Sequence, residues 1–248
     1  MLPARAALLS LALLAAAPAA AQQVPAEQIA AQAEAMRQLW RNTAGKPVNL
    51  QLPLFGAMLR FSLPAQYLIK FQGETPDQFL VEYAPDGQSL EDWQSLLTVR
   101  AWRGIGAANM TSAAVADRLF HPRKDCPEGP VYRTLGEKPL APGVTITTVA
   151  FGCAALPKGA YPAAQAGAGE QDFLWLLRDS ENFYAIKFSQ RGPAWQVDEP
   201  PIPLAEAEAQ LARFGPPLLC AAAEPAPGCA DVLALQGGRA APMASPQP

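Results

Sequence analysis

The chain begins with an almost unbroken apolar run at residues 6–17, placed after Arg5 and before Ala19, Ala20 and Ala21. An early positive charge, a stretch too short to cross a bilayer and small residues before a cut predict a secretory signal peptide over residues 1–21. No cysteine stands directly after that cut to accept a lipid. After Pro25 the pattern becomes helical, with Ile29, Ala33, Met36 and Trp40 on one stripe and Gln and Glu on the other face. Gly45 and Pro47 end this helix.

Short alternating or apolar runs follow at residues 48–52, 57–63, 67–71 and 79–83, separated by Pro- and Gly-containing turns. They predict an antiparallel meander. Leu59, Phe61 and Leu63 share one face against Arg60 and Ser62, so one side of this sheet is wet. Ser89 is positioned to cap a short helix in which Leu90, Trp93 and Leu97 point inward. Residues 98–102 read as a further strand, and 112–120 as a second helix ended by Pro122, with Val115 and Leu119 on its buried side. Residues 131–135 and 144–151 read as two strands joined by a turn at 139–143. Residues 157–169 are rich in Ala and Gly without periodicity, which predicts a mobile surface loop.

The clearest hairpin pairs 173–177 with 183–188 across Asp179, Ser180, Glu181 and Asn182. Its first strand is apolar on both faces, which places it centrally in a sheet. A last helix spans about 204–214 and stops at Gly215-Pro216-Pro217. The expectation is a single α+β domain over residues 22–220, with one mostly antiparallel sheet and three or four packed helices, followed by an Ala/Pro-rich, largely disordered tail over 221–248.

Composition narrows the function classes. The formal net charge is −3, and the charges are scattered without a basic block, which argues against nucleic acid and anionic lipid surfaces as partners. No later stretch is long and apolar enough to predict a membrane span. Four cysteines in an exported chain predict two disulfides, with three connectivities open. Folding the 131–151 hairpin about residue 140 lays Cys126 beside Cys153 as cross-strand neighbours. Cys220 and Cys229 then close a small loop over Pro225-Ala226-Pro227-Gly228. No Cys-x-x-Cys or matching His set points instead to a redox or metal site, so no cofactor and no metal are expected.

The segment Tyr83-Ala84-Pro85-Asp86-Gly87-Gln88-Ser89-Leu90-Glu91-Asp92-Trp93, continuing to Leu97-Thr98-Val99, resembles a group of uncharacterised proteobacterial exported proteins. The later order is also similar: a Cys, a hairpin ending in Cys, then an aromatic hairpin containing Phe183-Tyr184. The resemblance implies a layout loosely like the PsbP/Mog1-like fold, an antiparallel sheet with helices packed on it. Such folds imply accessory or binding modules more often than enzymes.

Few residues suggest chemistry. His121 is the single histidine and sits where a helix ends, a position that the helix dipole favours for structural reasons. No Gly-x-Ser-x-Gly elbow is present. Gly104-Ile105-Gly106-Ala107-Ala108 imitates a nucleotide-binding turn, but Asn109 stands at the third glycine position, so a flexible strand-to-helix loop is expected. Asn109-Met110-Thr111 fits a glycosylation sequon by composition alone. Glu91 and Asp92 are adjacent and point apart on a helix, as solvated surface does. Trp93 and Trp175 lie in apolar patterns and read as core. Trp102, Arg103 and Trp195 stand beside loops and are the candidate binding residues, since exposed Trp and Arg are enriched at hot spots. The functional expectation is a periplasmic, non-enzymatic accessory or binding module acting on a protein partner or envelope component. An envelope hydrolase using carboxylates, or a carrier of a small apolar ligand, are the alternatives.

Overall fold

A computed structural model of the chain describes residues 22–107, 110–120, 126, 130–157 and 168–221. The expected signal segment, Asn109, His121, Cys229, most of the 157–169 loop and the tail after Ala221 lie outside the described residues.

The first helix, α1 (Ala26–Asn42), forms where the apolar stripe predicts it, with Ala33 and Trp40 buried. Glu27 in its first turn and Arg41 in its last complement the helix dipole. The chain leaves the helix through left-handed backbone at Ala44 and Gly45. A two-residue strand, β1 (Gln22–Gln23), precedes it.

Next come β2 (Val48–Leu54) and β3 (Ala57–Leu63), joined by Phe55 and Gly56. Both turn residues have positive φ, 49° and 84°, which matches the twist a two-residue hairpin needs. The chain continues through β4 (Tyr67–Glu74), β5 (Gln78–Pro85), β6 (Ser95–Trp102) and the helix α2 (Ser112–Phe120). Four longer strands or hairpin arms follow: β7 (Pro130–Ala141), β8 (Val144–Cys153), β9 (Ala168–Arg178) and β10 (Phe183–Pro193). A 3-10 turn at Leu204–Glu206, the short helix α3 (Ala207–Ala212) and β11 (Leu218–Ala221) complete the described chain.

The strands form two sheets. Eight of them make one antiparallel sheet in the order β1-β4-β5-β6-β10-β9-β8-β7, and β11-β3-β2 make a second of three strands. Leu59, Phe61 and Leu63 of β3 pack with Val81, Tyr83, Leu97, Val99, Tyr184, Ile186 and Phe188 of the large sheet; α1 adds Trp40, α3 adds Leu211 and the turn after it adds Phe214. Aromatic rings dominate this layer: Phe188 and Phe214 lie 5.1 Å apart, and Phe61 meets Tyr83 edge-on at 6.5 Å. On the opposite face of the large sheet, α2 packs Val115 and Ala116 against Val149, Phe151, Leu174, Leu176 and Phe183. The central strand β9 is therefore buried on both sides, as its continuous apolar sequence requires.

This architecture corrects the expected α+β class and the PsbP/Mog1-like layout. Among the described residues the protein is mostly sheet, with three α-helices of 17, 9 and 6 residues. The layer expected to be helical is largely a second sheet. The 48–63 segment pairs within that sheet and not in one meander with β4 and β5, because β3 finds its second neighbour in the distant β11.

Two local expectations also change. No helix forms after Ser89, although the Ser89 hydroxyl still accepts hydrogen bonds from the Glu91 and Asp92 N–H groups at 3.2 and 3.1 Å. The cap chemistry is satisfied by a turn. Trp93 then joins Ala84 and Leu96, whereas Leu97 goes to the inter-sheet core. Cys126 and Cys153 are bonded, with Cα atoms 5.6 Å apart, but not as ladder partners. Irregular pairing in the hairpin places Pro130 opposite Cys153, so the bond ties the chain before β7 to the end of β8. Cys220 is also disulfide-bonded, and its expected partner Cys229 lies outside the described residues.

Candidate functional site

The three candidate binding residues are not brought together. Trp102, expected to be partly exposed, is only 3% exposed and packs beside α2, with the Arg100 guanidinium 5.0 Å from its ring centre. The burial follows from strand parity: Trp102 shares a face with Thr98 and Arg100, and α2 covers that end of the face. Arg103 is exposed at the same end of β6 and stacks 4.8 Å over Phe55, beside a cleft of about 470 Å³ that includes Glu74 and Phe79. Trp195 follows β10 at the other end of the sheet.

Trp195 is half-buried and lies against two glycines. A Cβ on Gly169 would stand 2.1 Å from its six-membered ring, and one on Gly152 would stand 3.3 Å away. Only glycine permits this approach of ring to backbone. The Trp195 N–H donates to the Ala154 carbonyl at 3.1 Å, which fixes the chain where it leaves β10. Among the described residues, the indole N–H is buried and makes no hydrogen bond.

Beside Trp195 lies a cleft of about 390 Å³. Its floor is a polar row across three strands: Ser95 of β6 pairs laterally with Gln190 of β10, which pairs with Gln171 of β9. Gln171 is committed to the fold. Its amide donates to the Ile202 carbonyl at 2.8 Å and accepts the Ile202 N–H at 3.0 Å, which pins the 201–202 segment over the strand ends. Ser95 accepts a hydrogen bond from the Tyr67 hydroxyl at 2.9 Å and keeps its own hydrogen to donate. The Gln190 side-chain amide makes no hydrogen bond among the described residues, and neither does that of Gln94 at the rim. Pro193 and Pro201 bound the cleft and offer no N–H.

Gln94 and Ser95 form one wall and are held by the turn that precedes them. Gln88 Oε1 accepts the N–H groups of Gln94 at 2.8 Å and Ser95 at 3.4 Å, which holds the entry into β6. Gly87, at φ 87°, and Asp86, paired with Arg37 at 2.9 Å, shape the turn before it. The Arg37 guanidinium holds the Asp86 carboxyl below its ordinary range.

Charges behind the cleft are mutually compensated. Arg191 bonds Glu170 at 2.8 Å, both side chains being nearly buried, and its guanidinium lies 3.9 Å from the Trp93 ring centre. One step along the strands, Asp172 accepts from Lys187 at 2.9 Å and from the Ser189 hydroxyl. The pairing and hydrogen bonds offset part of the cost of taking these charges out of water. Arg191 is the one ionisable residue lining the cleft, and its guanidinium is taken up by Glu170 and the Trp93 ring.

A carboxyl with a raised pKa does exist, at Glu82, where burial disfavours the charged form and Lys187 opposes the shift. It lies on the far face of β5, facing Thr98, and lines neither the Trp195 cleft nor the Arg103 cleft. Among the described residues no group of His, Cys, Asp and Glu is arranged to hold a metal ion. No helix among them is long and apolar enough to cross a membrane.

Sequence reading singled out Trp195 but missed Ser95, Gln190 and Gln94. A signal was present in strand parity: Ser95 is in phase with Leu97 and Val99, and Gln190 with Phe188 and Ile186. A polar residue that continues a core-facing series marks the place where the core stops and a cleft begins. No protein-family model matches the chain, and no curated protein matches it in sequence.

Proposed function

We propose that this protein is an exported, non-enzymatic binding module that holds an envelope component in the Trp195 cleft. The observation that carries the reading is the cleft itself: unengaged amides and a hydroxyl beside an aromatic ring, on a floor fixed by strand pairing. Such a site binds without offering an acid, base or nucleophile matched to catalysis, because its one ionisable group is an arginine already paired with Glu170. Export is supported by the signal-like residues 1–21 and by the Cys126–Cys153 bond, which persists in an oxidising compartment. The resemblance to exported proteobacterial proteins, carried by residues next to the cleft-lining Gln94 and Ser95, fits the exported part of this reading. An envelope component is favoured over a protein surface because Leu39 is the one exposed large hydrophobic residue among those described.

Co-sedimentation of the purified, oxidised protein with isolated peptidoglycan sacculi tests the reading. The wild type is expected to pellet with sacculi and Trp195→Ala to remain in the supernatant. Equal recovery of both in the supernatant overturns it.

A further inference from the structure

The chemistry of the Trp195 cleft points to one class of ligand, and the inference rests on the binding role proposed above. We propose that the cleft takes a neutral oligosaccharide, with a sugar ring lying on Trp195 and its hydroxyls bonding Gln190, Gln94 and Ser95.

Three observations select this class. The first is charge. The single cation at the cleft, Arg191, is compensated by Glu170 at 2.8 Å and by the Trp93 ring, so an anionic ligand finds no unspent positive charge. The second is the backbone. One common way to hold an extended peptide is to add it as a strand to a free sheet edge. Here Gln190 is laddered on both sides, to Ser95 and to Gln171, and the rim residues Pro193 and Pro201 carry no N–H. The cleft therefore presents no main-chain edge for a peptide.

The third is the side-chain set. Two free amides and a hydroxyl each donate and accept, which matches a sugar hydroxyl that also does both. The half-buried Trp195, held against Gly152 and Gly169, supplies a fixed apolar surface for the C–H face of a pyranose. The volume of about 390 Å³ accommodates one or two rings at the rim of a longer chain.

Isothermal titration with neutral tetrasaccharides of glucose and of N-acetylglucosamine, alongside an uncharged N-acetyl tetra-alanine amide, tests the inference. Binding of a tetrasaccharide that is insensitive to salt, weakened about tenfold or more in Trp195→Ala and in Gln190→Ala, and kept in Trp195→Phe, is the expected result. Gln190→Ala removes an amide that holds nothing in the fold, so its loss of binding is separable from unfolding. A tetrasaccharide that binds Trp195→Ala and Gln190→Ala as well as the wild type overturns the inference. Co-sedimentation with sacculi combined with binding of the peptide and neither tetrasaccharide also overturns it, while leaving the binding role standing. Failure with sacculi and with all three probes overturns both.

Discussion

At the scale of single residues, Glu82 shows how position sets chemistry. Its carboxylate faces Thr98 across the β5–β6 ladder and is more buried than a surface carboxylate, so its pKa rises above the ordinary 4.5 despite Lys187 and Arg100 nearby. A raised carboxyl binds its proton more tightly in the folded state than in the unfolded state. The folded state therefore gains stability from this group as pH falls through the raised pKa, and the gain is complete below 4.5. Glu82→Gln removes the charge while keeping the shape. The variant is expected to be more stable than the wild type at pH 7, with the difference vanishing as pH falls below 4.5. Urea melts of both proteins across that range check this; the lowered carboxyls Asp86 and Glu208 are common to both and cancel.

At the scale of elements, the β9–β10 hairpin is held by its turn as well as by its ladder. Asp179 accepts the N–H groups of Glu181 and Asn182 at 2.8 and 2.6 Å and the Tyr184 hydroxyl at 2.8 Å. The loop after β6 is bolted to this turn. Gly106 donates its N–H to the Glu181 carbonyl at 2.8 Å, and Arg178 binds the Gly106 and Met110 carbonyls. The loop that imitates a nucleotide-binding turn is thus a structural clasp, and its described part is fixed, where sequence reading expected flexibility. A Cβ at Gly106 would meet backbone atoms of Asn182, Glu181 and Asp179 at 2.5, 2.6 and 2.8 Å. No rotamer change relieves a clash with backbone. Gly106→Ala is expected to cost about 2–3 kcal/mol, lowering the melting temperature by roughly 4–12 °C. Calorimetry reads this directly, and an unchanged melting temperature contradicts the close approach.

At the scale of the whole molecule, the Cys126–Cys153 bond joins positions 27 residues apart and anchors the chain before β7 to the large sheet. Loop-closure entropy for a loop of that length corresponds to about 3–4 kcal/mol of stabilisation. The double variant Cys126→Ser/Cys153→Ser is expected to unfold about 6–15 °C lower while keeping a β-rich circular dichroism spectrum. The spectrum should survive because the aromatic layer between the two sheets, around Phe61, Phe188 and Phe214, does not depend on this bond. Loss of the β signature at room temperature would show instead that the bond is required for the fold. The two ends of the large sheet also differ in character: Arg103 and Phe55 lie at one, and Trp195 and the polar row at the other.

Local pattern determined much of this protein. The amphipathic stripe of Ile29, Ala33, Met36 and Trp40 defines α1, and the alternation around Phe173 and Phe183 defines the central hairpin with its burial. Those features are short-range, since side-chain period and turn residues act within a few positions. The family resemblance at residues 83–99 and the signal reading at 1–21 are likewise readings of local sequence. Tertiary structure decided the rest. Strand periodicity carries no information about which strand is the neighbour, so only the folded chain shows β11 beside β3, and with it a second sheet where helices were expected. Ser89 illustrates the same point at one residue: its capping bonds are local, but whether they open a helix or close a turn depends on β6 pairing immediately afterwards. Trp102 and Trp195 both stand at strand ends in the sequence. One is buried because α2 crosses its face, and the other lines a cleft because two glycines and two strand neighbours leave room beside it.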